Sequence, residues 1–201
     1  NGSKIGGSAT GAYKSGARLS ADSNPGGSPE SRIKITEIFL SIQGEAQFSG
    51  WPTVFIRLTG CPLRCKYCDT AYAFTGGDWW SIENILSEVS QHKVEHVCVT
   101  GGEPLAQLRC LDLLNALCDR GYAVSLETSG ALDIGAVDER VSRVMDLKTP
   151  GSGEEERNRW ENIPLLTEGD SLKIVICDRA DYEWLRDILK DRIEYACPVF
   201  L

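Results

Sequence analysis

The sequence predicts an α/β fold, a partial (β/α) barrel of parallel strands with outer helices. Strand-like and helix-like segments alternate along most of the 201-residue chain, as they do in folds built on a parallel sheet. Right-handed crossovers between successive strands would curl that sheet into a full or partial barrel. Polar and reactive residues directly follow several of the strand-like segments, and parallel barrels place their chemistry at this carboxyl-terminal edge.

The first elements follow from runs of apolar residues and from helical spacing. Residues 34–42 and 53–59 are rich in Ile, Val, Phe and Leu, which predicts two strands. Ser81 can cap a helix that runs to about His92. The apolar residues of this helix recur three and four positions apart, and they are Ile82, Ile85, Leu86 and Val89.

Strands and helices continue to alternate further along the chain. A short strand at 96–99 precedes a helix at 105–120, which would bury Leu108 together with the later leucines and end at Gly121. The remaining predicted elements are strands at 123–126, 141–147 and 172–177, a helix at 180–190, and a further strand that starts within 195–201.

Composition divides the chain into a leader and one domain. Residues 1–31 contain seven glycines and seven serines with almost no large apolar side chains, so we expect this leader to be disordered. Residues 32–201 form the predicted barrel domain. The net charge of −8 does not predict nucleic-acid binding, and no apolar run approaches the length needed to span a bilayer.

Cys61, Cys65 and Cys68 form a Cys-x3-Cys-x2-Cys pattern. A closed zinc site or an electron-transfer cluster normally takes four protein ligands, whereas a cubane iron–sulfur cluster held by three cysteines leaves one iron open to a small molecule. Disulfide bonds are one alternative, but they would leave one of the three cysteines unpaired. Zinc is the other, but neither His92 nor His96 forms a Cys-x2-His pair. The spacing favours the open cluster.

The other five cysteines stand singly in apolar segments. Free cysteine packs as a small hydrophobe, so we expect these side chains to fill the core. Cysteine used in this way indicates a reducing, cytoplasmic compartment. The five are Cys98, Cys110, Cys118, Cys177 and Cys197.

Two polar segments that follow predicted strands are candidates for ligand contacts. The glycines of Thr100-Gly-Gly-Glu-Pro104 would let the backbone approach a ligand closely and adopt positive φ; the alternative is an ordinary turn between a strand and a helix. Asp69 and Thr70 follow the last cysteine of the pattern and offer the hard oxygen ligands that suit Mg²⁺. A polar turn without a ligand is the alternative for this pair.

Polar side chains in and after the first two strands indicate an anionic heterocycle as ligand. Gln43 offers a donor and an acceptor, and Glu45 can accept from ring N–H groups, so the pair suits the edge of a pterin-like ring; a polar turn without a ligand is the alternative. Arg57 lies within an apolar strand, where its planar fork would match a carboxylate; an internal ion pair or a solvent-facing position is the alternative. Lys148 and Lys173, both at strand ends, are further candidates for anion contacts; a solvated side chain is the alternative for each.

The cysteine pattern resembles that of the radical S-adenosylmethionine (SAM) superfamily, and longer segments resemble one of its families, the 7-carboxy-7-deazaguanine synthases. The segments that carry the family resemblance are residues 35–45, 55–61, 65–70 and 72–74, followed by 99–104, 127–130 and 146–148. Ile-Gln-Gly-Glu at the end of the first segment and Cys-Asp-Thr in the third are specific to the family. The resemblance covers about residues 33–200 and implies a partial barrel of the radical SAM type.

The resemblance implies a carbon–nitrogen lyase that converts 6-carboxy-5,6,7,8-tetrahydropterin to 7-carboxy-7-deazaguanine with loss of ammonia, on the route to queuosine. It also implies a [4Fe-4S] cluster on Cys61, Cys65 and Cys68, SAM as a true cofactor that yields a 5′-deoxyadenosyl radical, and Mg²⁺ on Thr70. A flavodoxin- or ferredoxin-type reductant and a homodimer are the implied partners. A glycyl-radical enzyme activase and a non-enzymatic iron–sulfur or metal-binding module are the alternatives.

The resemblance assigns further residues to ligands and assigns none as catalytic. Its substrate residues are Ile42, Gln43, Gly44, Glu45, Arg57 and Thr100. Its SAM residues are Tyr67, Asp69, Gly101, Gly102, Glu103, Glu127, Ser129, Asp146, Leu147 and Lys148. Family members usually continue past Pro198 with a helix and a Gln-x-His-Lys segment, so we expect this chain to be truncated at its C-terminus.

Overall fold

One eight-stranded sheet organises the part of the chain that the computed structural model describes, residues 31–191 and 195–201. Its strands are β1 (Ile33–Ile42), β2 (Pro52–Leu58), β3 (Asp78–Trp80), β4 (His96–Gly101), β5 (Ala123–Thr128), β6 (Val141–Asp146), β7 (Ser171–Lys173) and β8 (Val199–Phe200). They lie side by side in the order β3-β1-β2-β4-β5-β6-β7-β8. The predicted leader, residues 1–31, lies outside the described residues except for Ser31.

Strands β2 and β4 to β8 are parallel to one another and form the predicted partial barrel. Strand β1 instead pairs antiparallel with β2, and β3 pairs antiparallel with β1. Only the short helix Ala46–Phe48 lies between β1 and β2, and a connection of that length makes a hairpin because a parallel crossover needs a dozen or more residues. Strand β3 was not predicted, and β7 and β8 are shorter than predicted.

Three α-helices in the described residues lie outside the sheet: α1 (Ile82–Ser90), α2 (Cys110–Asp119) and α3 (Arg179–Asp191). The predicted cap of α1 is confirmed, because the Ser81 hydroxyl accepts from the backbone N–H of Asn84 at 3.2 Å. The predicted end of α2 at Gly121 is also confirmed, where φ is +84°.

Helix α2 begins five residues later than predicted, at Cys110. Gln107 explains the delay, because its side chain donates to the carbonyl oxygen of Lys34 and accepts from the N–H of the same residue, both at 2.8 Å. The chain is thereby held against β1 before the helix starts. The predicted burial of Leu108 is wrong, since 91% of this residue is exposed.

The hydrophobic core lies between the helices and the outer face of the sheet. Val97 and Val99 of β4 pack there with the apolar stripes of α1 and α2. Alternate residues of each strand face the other way, into the barrel, so Cys98 and Thr100 lie on the inner face. Strand β4 is buried on both faces, as expected of a central parallel strand.

The predicted burial of single cysteines is confirmed at three of five positions. Cys98, Cys110 and Cys197 are buried, and Cys118 is partly buried. Cys177 is exposed, so its assignment to the core is wrong; it follows β7, where the chain has already left the sheet. Among the described residues, no helix combines the length and the apolar character that crossing a membrane requires.

Candidate active site

A cavity of about 560 Å³ lies at the carboxyl ends of the parallel strands and extends along their inner face. The loop after β2, which carries the three cysteines, forms one side, and the turns after β4, β5 and β6 form the others. The predicted site residues that line it are Gln43, Gly44, Glu45, Arg57, Cys61, Cys65, Tyr67, Cys68, Asp69, Thr70, Thr100, Gly101, Gly102, Glu127, Ser129, Asp146 and Lys148. Segments far apart in the sequence therefore meet at one place.

The three cysteines of the loop after β2 are all partly buried in the cavity wall. The loop is fixed from outside, where the Lys66 N–H donates to the Ser152 carbonyl oxygen at 2.9 Å. Burial raises the pKa of the Cys61 and Cys65 thiols. The metal-free thiols are therefore protonated at neutral pH, and metal binding would have to release those protons.

The cysteine loop fits a three-cysteine cluster in its number of ligands and in their placement. Among the described residues, no three His, Cys, Asp or Glu side chains lie close enough together to share a single metal ion. A cubane cluster binds each thiolate at a different iron, so its ligands stand farther apart than those of one ion. The three partly buried thiols around one cavity would hold such a cluster.

The glycine turn after β4 is pressed against the cysteine loop. A Cβ atom on Gly102 would collide with the Gly60 backbone and with the Cβ of Cys61, and one on Gly101 would lie 2.5 Å from the Leu58 carbonyl oxygen. Neither Gly101 nor Gly102 has a positive φ, contrary to one of the two reasons predicted for them. The predicted close approach of the backbone is present, but it is an approach to another loop of the protein and not to a ligand.

Glu103, predicted to contact SAM, is fully buried and does not line the cavity. Its carboxylate accepts from the N–H and hydroxyl of Ser129, from the Thr128 hydroxyl and from the Leu105 N–H. These bonds tie the turn after β4 to the turn after β5. Glu103 thus fixes the two turns that form part of the cavity wall without contacting the cavity itself.

Tyr67, Asp146 and Lys148 form a polar cluster beside the cysteines. Lys148 Nζ donates to Asp146 Oδ2 at 3.0 Å and lies 5.5 Å from the centroid of the Tyr67 ring. Burial opposes the charge of Lys148, but Asp146, Tyr67 and Cys65 together raise its pKa; burial raises the pKa of Tyr67 to about 12. Tyr67 Oη and Asp146 Oδ1 are buried without a hydrogen-bond partner in the described chain, so both have capacity for a ligand.

Glu127 projects from β5 into a group of neutral donors. Its carboxylate accepts from Gln43 Nε2 at 3.2 Å, from the Thr100 hydroxyl at 2.8 Å and from the Cys98 thiol at 3.4 Å. A carboxylate can accept about four hydrogen bonds, so Glu127 keeps capacity for a donor in the cavity. The contacts join Glu127 to two predicted substrate residues, although the resemblance assigned it to SAM.

Arg57 lines the cavity and also forms the internal ion pair that was its alternative interpretation. Its Nε donates to Glu37 Oε1 at 2.8 Å, and the Tyr72 hydroxyl donates to the same oxygen at 2.7 Å. The guanidinium carbon lies 5.9 Å from the centroids of the Phe39 and Tyr72 rings. Because the pair uses only Nε, the two Nη groups remain available to an anion in the cavity.

Lys173 reaches the cavity from β7 and binds Glu45, at the beginning of the β1–β2 connection, with an Nζ–Oε2 distance of 2.6 Å. Burial opposes the charge of Lys173, but Glu45, Asp146 and Glu127 together raise its pKa. In the sequence, Lys173 is one of two lysines at strand ends that are candidates for anion contacts. Its ion pair with a predicted substrate residue distinguishes it.

The cavity has two ends that differ in construction. The loop end comprises the three cysteines, the glycine turn, and the cluster of Tyr67, Asp146 and Lys148. The strand end comprises Gln43, Glu45, Arg57, Thr100, Glu127 and Lys173. Asp69 and Thr70 lie at the loop end, where the Thr70 hydroxyl donates to Asp69 Oδ1 at 2.7 Å.

Two further predicted residues, besides Glu103, do not line the cavity. Ile42 is 58% exposed, and Leu147 is buried in the core. Lining residues that were not assigned to the site are Phe55, Leu63, Phe74, Thr128, Val144, Lys173 and Val175. Strand periodicity could have indicated some of them, because Phe55, Val144 and Val175 each stand two positions from a predicted or candidate site residue and so share its face.

The chain is similar in sequence and in fold to known proteins. The Radical SAM superfamily model matches residues 55–193. A 7-carboxy-7-deazaguanine synthase of Chlorobaculum tepidum is 46% identical over 81% of this chain and 75% of the relative, and one of Koribacter versatilis is 43% identical over 79% and 71%. The crystal structure of QueE from Escherichia coli superposes with a TM-score of 0.67 over 85% of this chain and 84% of that one, at 24% identity, and supports the fold.

Proposed function

Because this chain belongs to the 7-carboxy-7-deazaguanine synthase family of the radical SAM superfamily, we propose that its cavity is where 6-carboxy-5,6,7,8-tetrahydropterin is converted to 7-carboxy-7-deazaguanine with release of ammonia. The chain is a radical SAM enzyme of 7-deazaguanine biosynthesis, with a [4Fe-4S] cluster and SAM as cofactors. The glycyl-radical activase and the non-enzymatic module are not favoured by these relatives.

One observation carries the assignment of the reaction to this cavity. The three-cysteine loop and the polar inner face of β2, β4, β5 and β7 open into the same space. When bound, the cluster and SAM supply reversible hydrogen-atom abstraction from C6 of the pterin. The protein's own contribution is to hold that carbon beside the loop end and to exclude water from it.

At the loop end, we assign Tyr67, Asp146 and Lys148 to SAM. The unpartnered Asp146 Oδ1 offers an acceptor, and the buried Tyr67 Oη offers either a donor or an acceptor. Lys148 offers a permanently charged donor, since its pKa is raised. We also assign Thr70 to Mg²⁺, with Asp69 beside it as a second oxygen ligand for the same ion; this revises the assignment of Asp69 to SAM that the resemblance gave.

At the strand end, we assign Gln43, Thr100 and Glu127 to the pterin ring. The free acceptor capacity of Glu127 suits the ring N–H and amino donors, and Gln43 fixes its orientation. This assignment revises the one that the resemblance gave for Glu127. We assign the Nη groups of Arg57 to the substrate carboxylate, with the ammonium group of Lys173 as a second cation along the same cavity.

The test of this function is product analysis under anaerobic conditions. Protein reconstituted with iron and sulfide is incubated with reductant, SAM, Mg²⁺ and 6-carboxy-5,6,7,8-tetrahydropterin. We expect 7-carboxy-7-deazaguanine and ammonia in equal amounts, with SAM largely recovered. Cleavage of SAM without any deazaguanine product would contradict the substrate assignment, and an unchanged spectrum of the reduced cluster on addition of SAM would contradict the open iron.

We further propose a flavodoxin- or ferredoxin-type protein as reductant, a homodimer as the working form, and the cytoplasm as the compartment. Each of the five cysteines outside the cysteine loop lies in the described part of the chain as a free thiol, which supports a reducing compartment. Sedimentation of the reconstituted protein would test the dimer. Reduction of the cluster by purified flavodoxin and ferredoxin, compared at equal potential, would test the reductant.

A further inference from the structure

Asp181 lies near the beginning of α3, outside the cavity, and only 1% of its surface is exposed to solvent. Its Oδ2 accepts from the Thr149 hydroxyl at 2.9 Å and from the Cys177 N–H at 3.0 Å, and its Oδ1 accepts from the Gly151 N–H at 2.7 Å. Two of these three donors belong to the loop after β6. Asp181 therefore anchors that loop to α3.

The anchored loop in turn holds both residues that flank Cys65. The Ser152 carbonyl oxygen accepts from the Lys66 N–H at 2.9 Å, and Glu154 Oε1 accepts from the Arg64 N–H at 2.5 Å. These bonds fix the backbone on each side of the middle cysteine. The Cys65 thiol is thus positioned by a segment that contributes no cysteine of its own.

The contacts between the anchor and the loop are continuous. The Ser152 hydroxyl donates to the Thr149 carbonyl oxygen at 2.6 Å, so the anchored Thr149 fixes Ser152. A Cβ atom on Gly151 would collide with the Asp181 carboxylate, which shows how closely the two elements pack. Burial opposes the charge of Asp181, but the N–H groups of Cys177 and Gly151 outweigh it and lower its pKa.

We propose that Asp181 is a positioning residue that fixes Cys65 for cluster binding through the segment 149–154. Asp181 touches neither substrate nor cofactor in this arrangement and acts through the hydrogen bonds of the segment 149–154. Lys148, which precedes the segment and lines the cavity, is held separately, because its backbone N–H and carbonyl groups bond to the Asn158 side chain at 2.9 and 2.7 Å. The inference rests on the proposed role of the three cysteines as cluster ligands.

The test compares Asp181→Asn with Asp187→Asn in the iron-loaded enzyme. An asparagine at 181 has one acceptor oxygen, so part of the donor set would face an amide NH₂ group. Asp187 lies on the same helix, but its side chain is 64% exposed, which makes it a matched control. The readouts are hydrogen exchange of peptides that cover residues 62–70, with peptides of β4 as internal reference, and the rate of iron release to a chelator.

We expect Asp181→Asn to accelerate exchange in residues 62–70 about tenfold, the effect of losing roughly one hydrogen bond, with a smaller change in β4. Iron release should accelerate with it, and Asp187→Asn should change neither rate. Equal acceleration in both regions would overturn the proposal, because it would show a general loss of stability. Faster exchange with unchanged iron release would also overturn it.

A second variant guards against failure of Asp181→Asn to fold. Thr149→Val keeps the size of the side chain and removes a single donor to Asp181, so we expect the same pattern with a smaller amplitude. An unchanged exchange rate in residues 62–70 of a folded Thr149→Val protein would count against the proposal. If the unaltered protein binds no iron, the proposed function fails, whereas the exchange data still decide whether Asp181 orders the loop.

Discussion

The loop end and the strand end of the cavity are held in place by different interactions. At the loop end, the cysteine loop and the glycine turn are held through their backbone groups. The Lys66 N–H donates to the Ser152 carbonyl oxygen at 2.9 Å, and the Gly102 N–H donates to the Leu58 carbonyl oxygen at 3.2 Å. At the strand end, side chains bond to side chains, as in the pairs of Arg57 with Glu37 and of Lys173 with Glu45. The first end is fixed by contacts between loops. At the second end, the register of β1 and β2 places Arg57 opposite Glu37, whereas the pair of Lys173 and Glu45 joins β7 to the β1–β2 connection.

This difference indicates how each end tolerates change. A loop held by backbone groups depends on what its neighbours leave room for, so its glycines and its remote anchors matter as much as its ligands. Residues that start from strands keep their backbone positions when a side-chain partner is altered, because the sheet holds them. Changes at the loop end should therefore affect metal binding, and changes at the strand end should affect substrate binding alone.

The largest effect is expected for Cys65→Ala. Removing one of only three thiolates should abolish cluster assembly while leaving the fold intact, because the residue lies on a loop and is only partly buried. Iron and sulfide content after reconstitution measures the first effect, and thermal unfolding of the metal-free protein measures the second. Cys118→Ala, on the outer helix α2, is the control and should keep its full iron content; normal iron content in Cys65→Ala would refute the cluster assignment.

The next effect is expected for Arg57→Ala, at the strand end. A hydrogen bond to a charged group contributes about 1.5–3 kcal/mol, so KM for the pterin should rise roughly 10- to 100-fold. The affinity for SAM should stay the same. Glu37→Gln is the matched control, because it removes the negative charge of the internal partner but keeps the guanidinium group, and it should change KM far less. Equal losses of pterin and SAM affinity in Arg57→Ala would argue against a carboxylate contact.

The sequence predicts the two ends unequally well. Local patterns are enough for the three cysteines, for the cap at Ser81 and for the placement of polar residues after strands. They cannot reveal that Glu103 turns away from the cavity to bond with Ser129, because that contact joins two turns distant in sequence. The pairing of Lys173 with Glu45 spans an even longer separation.

The errors in the fold have equally specific causes. Leu108 fits a helical stripe, yet the bonds from the Gln107 side chain to Lys34 delay the helix and leave Leu108 in solvent. Strand β3 has three residues, too few to show a period of two. In both cases a contact between distant segments outweighs the local preference.

A smaller effect, confined to the loop end, is expected for Gly102→Ala. The added methyl group would press on Gly60 and on Cys61, and overpacking of this kind costs about 1–3 kcal/mol. Because the strain falls on the cysteine loop, we expect partial iron loading and faster loss of iron to a chelator. Gly121→Ala is the control: its Cβ meets no atom within 4 Å, but φ there is +84°. It should lower stability without changing iron content, and a similar iron loss in both variants would contradict the packing argument.

The smallest effect concerns the stability of the protein in acid, and it depends on Asp170, the residue before β7. Asp170 is buried and accepts from Arg143 Nε at 3.0 Å and from Arg143 Nη2 at 2.6 Å. Burial opposes its charge, but the hydrogen bonds from Arg143 and Thr167 prevail and lower the pKa of Asp170. A lowered pKa contributes stability above the unfolded value of about 4, and this contribution is lost as the pH falls below it. The free energy of unfolding of the metal-free protein, measured from pH 6 to pH 3, should therefore fall more steeply than that of Asp170→Asn. The free energy of unfolding of Asp187→Asn should depend on pH as that of the unaltered protein does. The same pH dependence in all three proteins would show that the buried pair of Asp170 and Arg143 does not determine stability in acid.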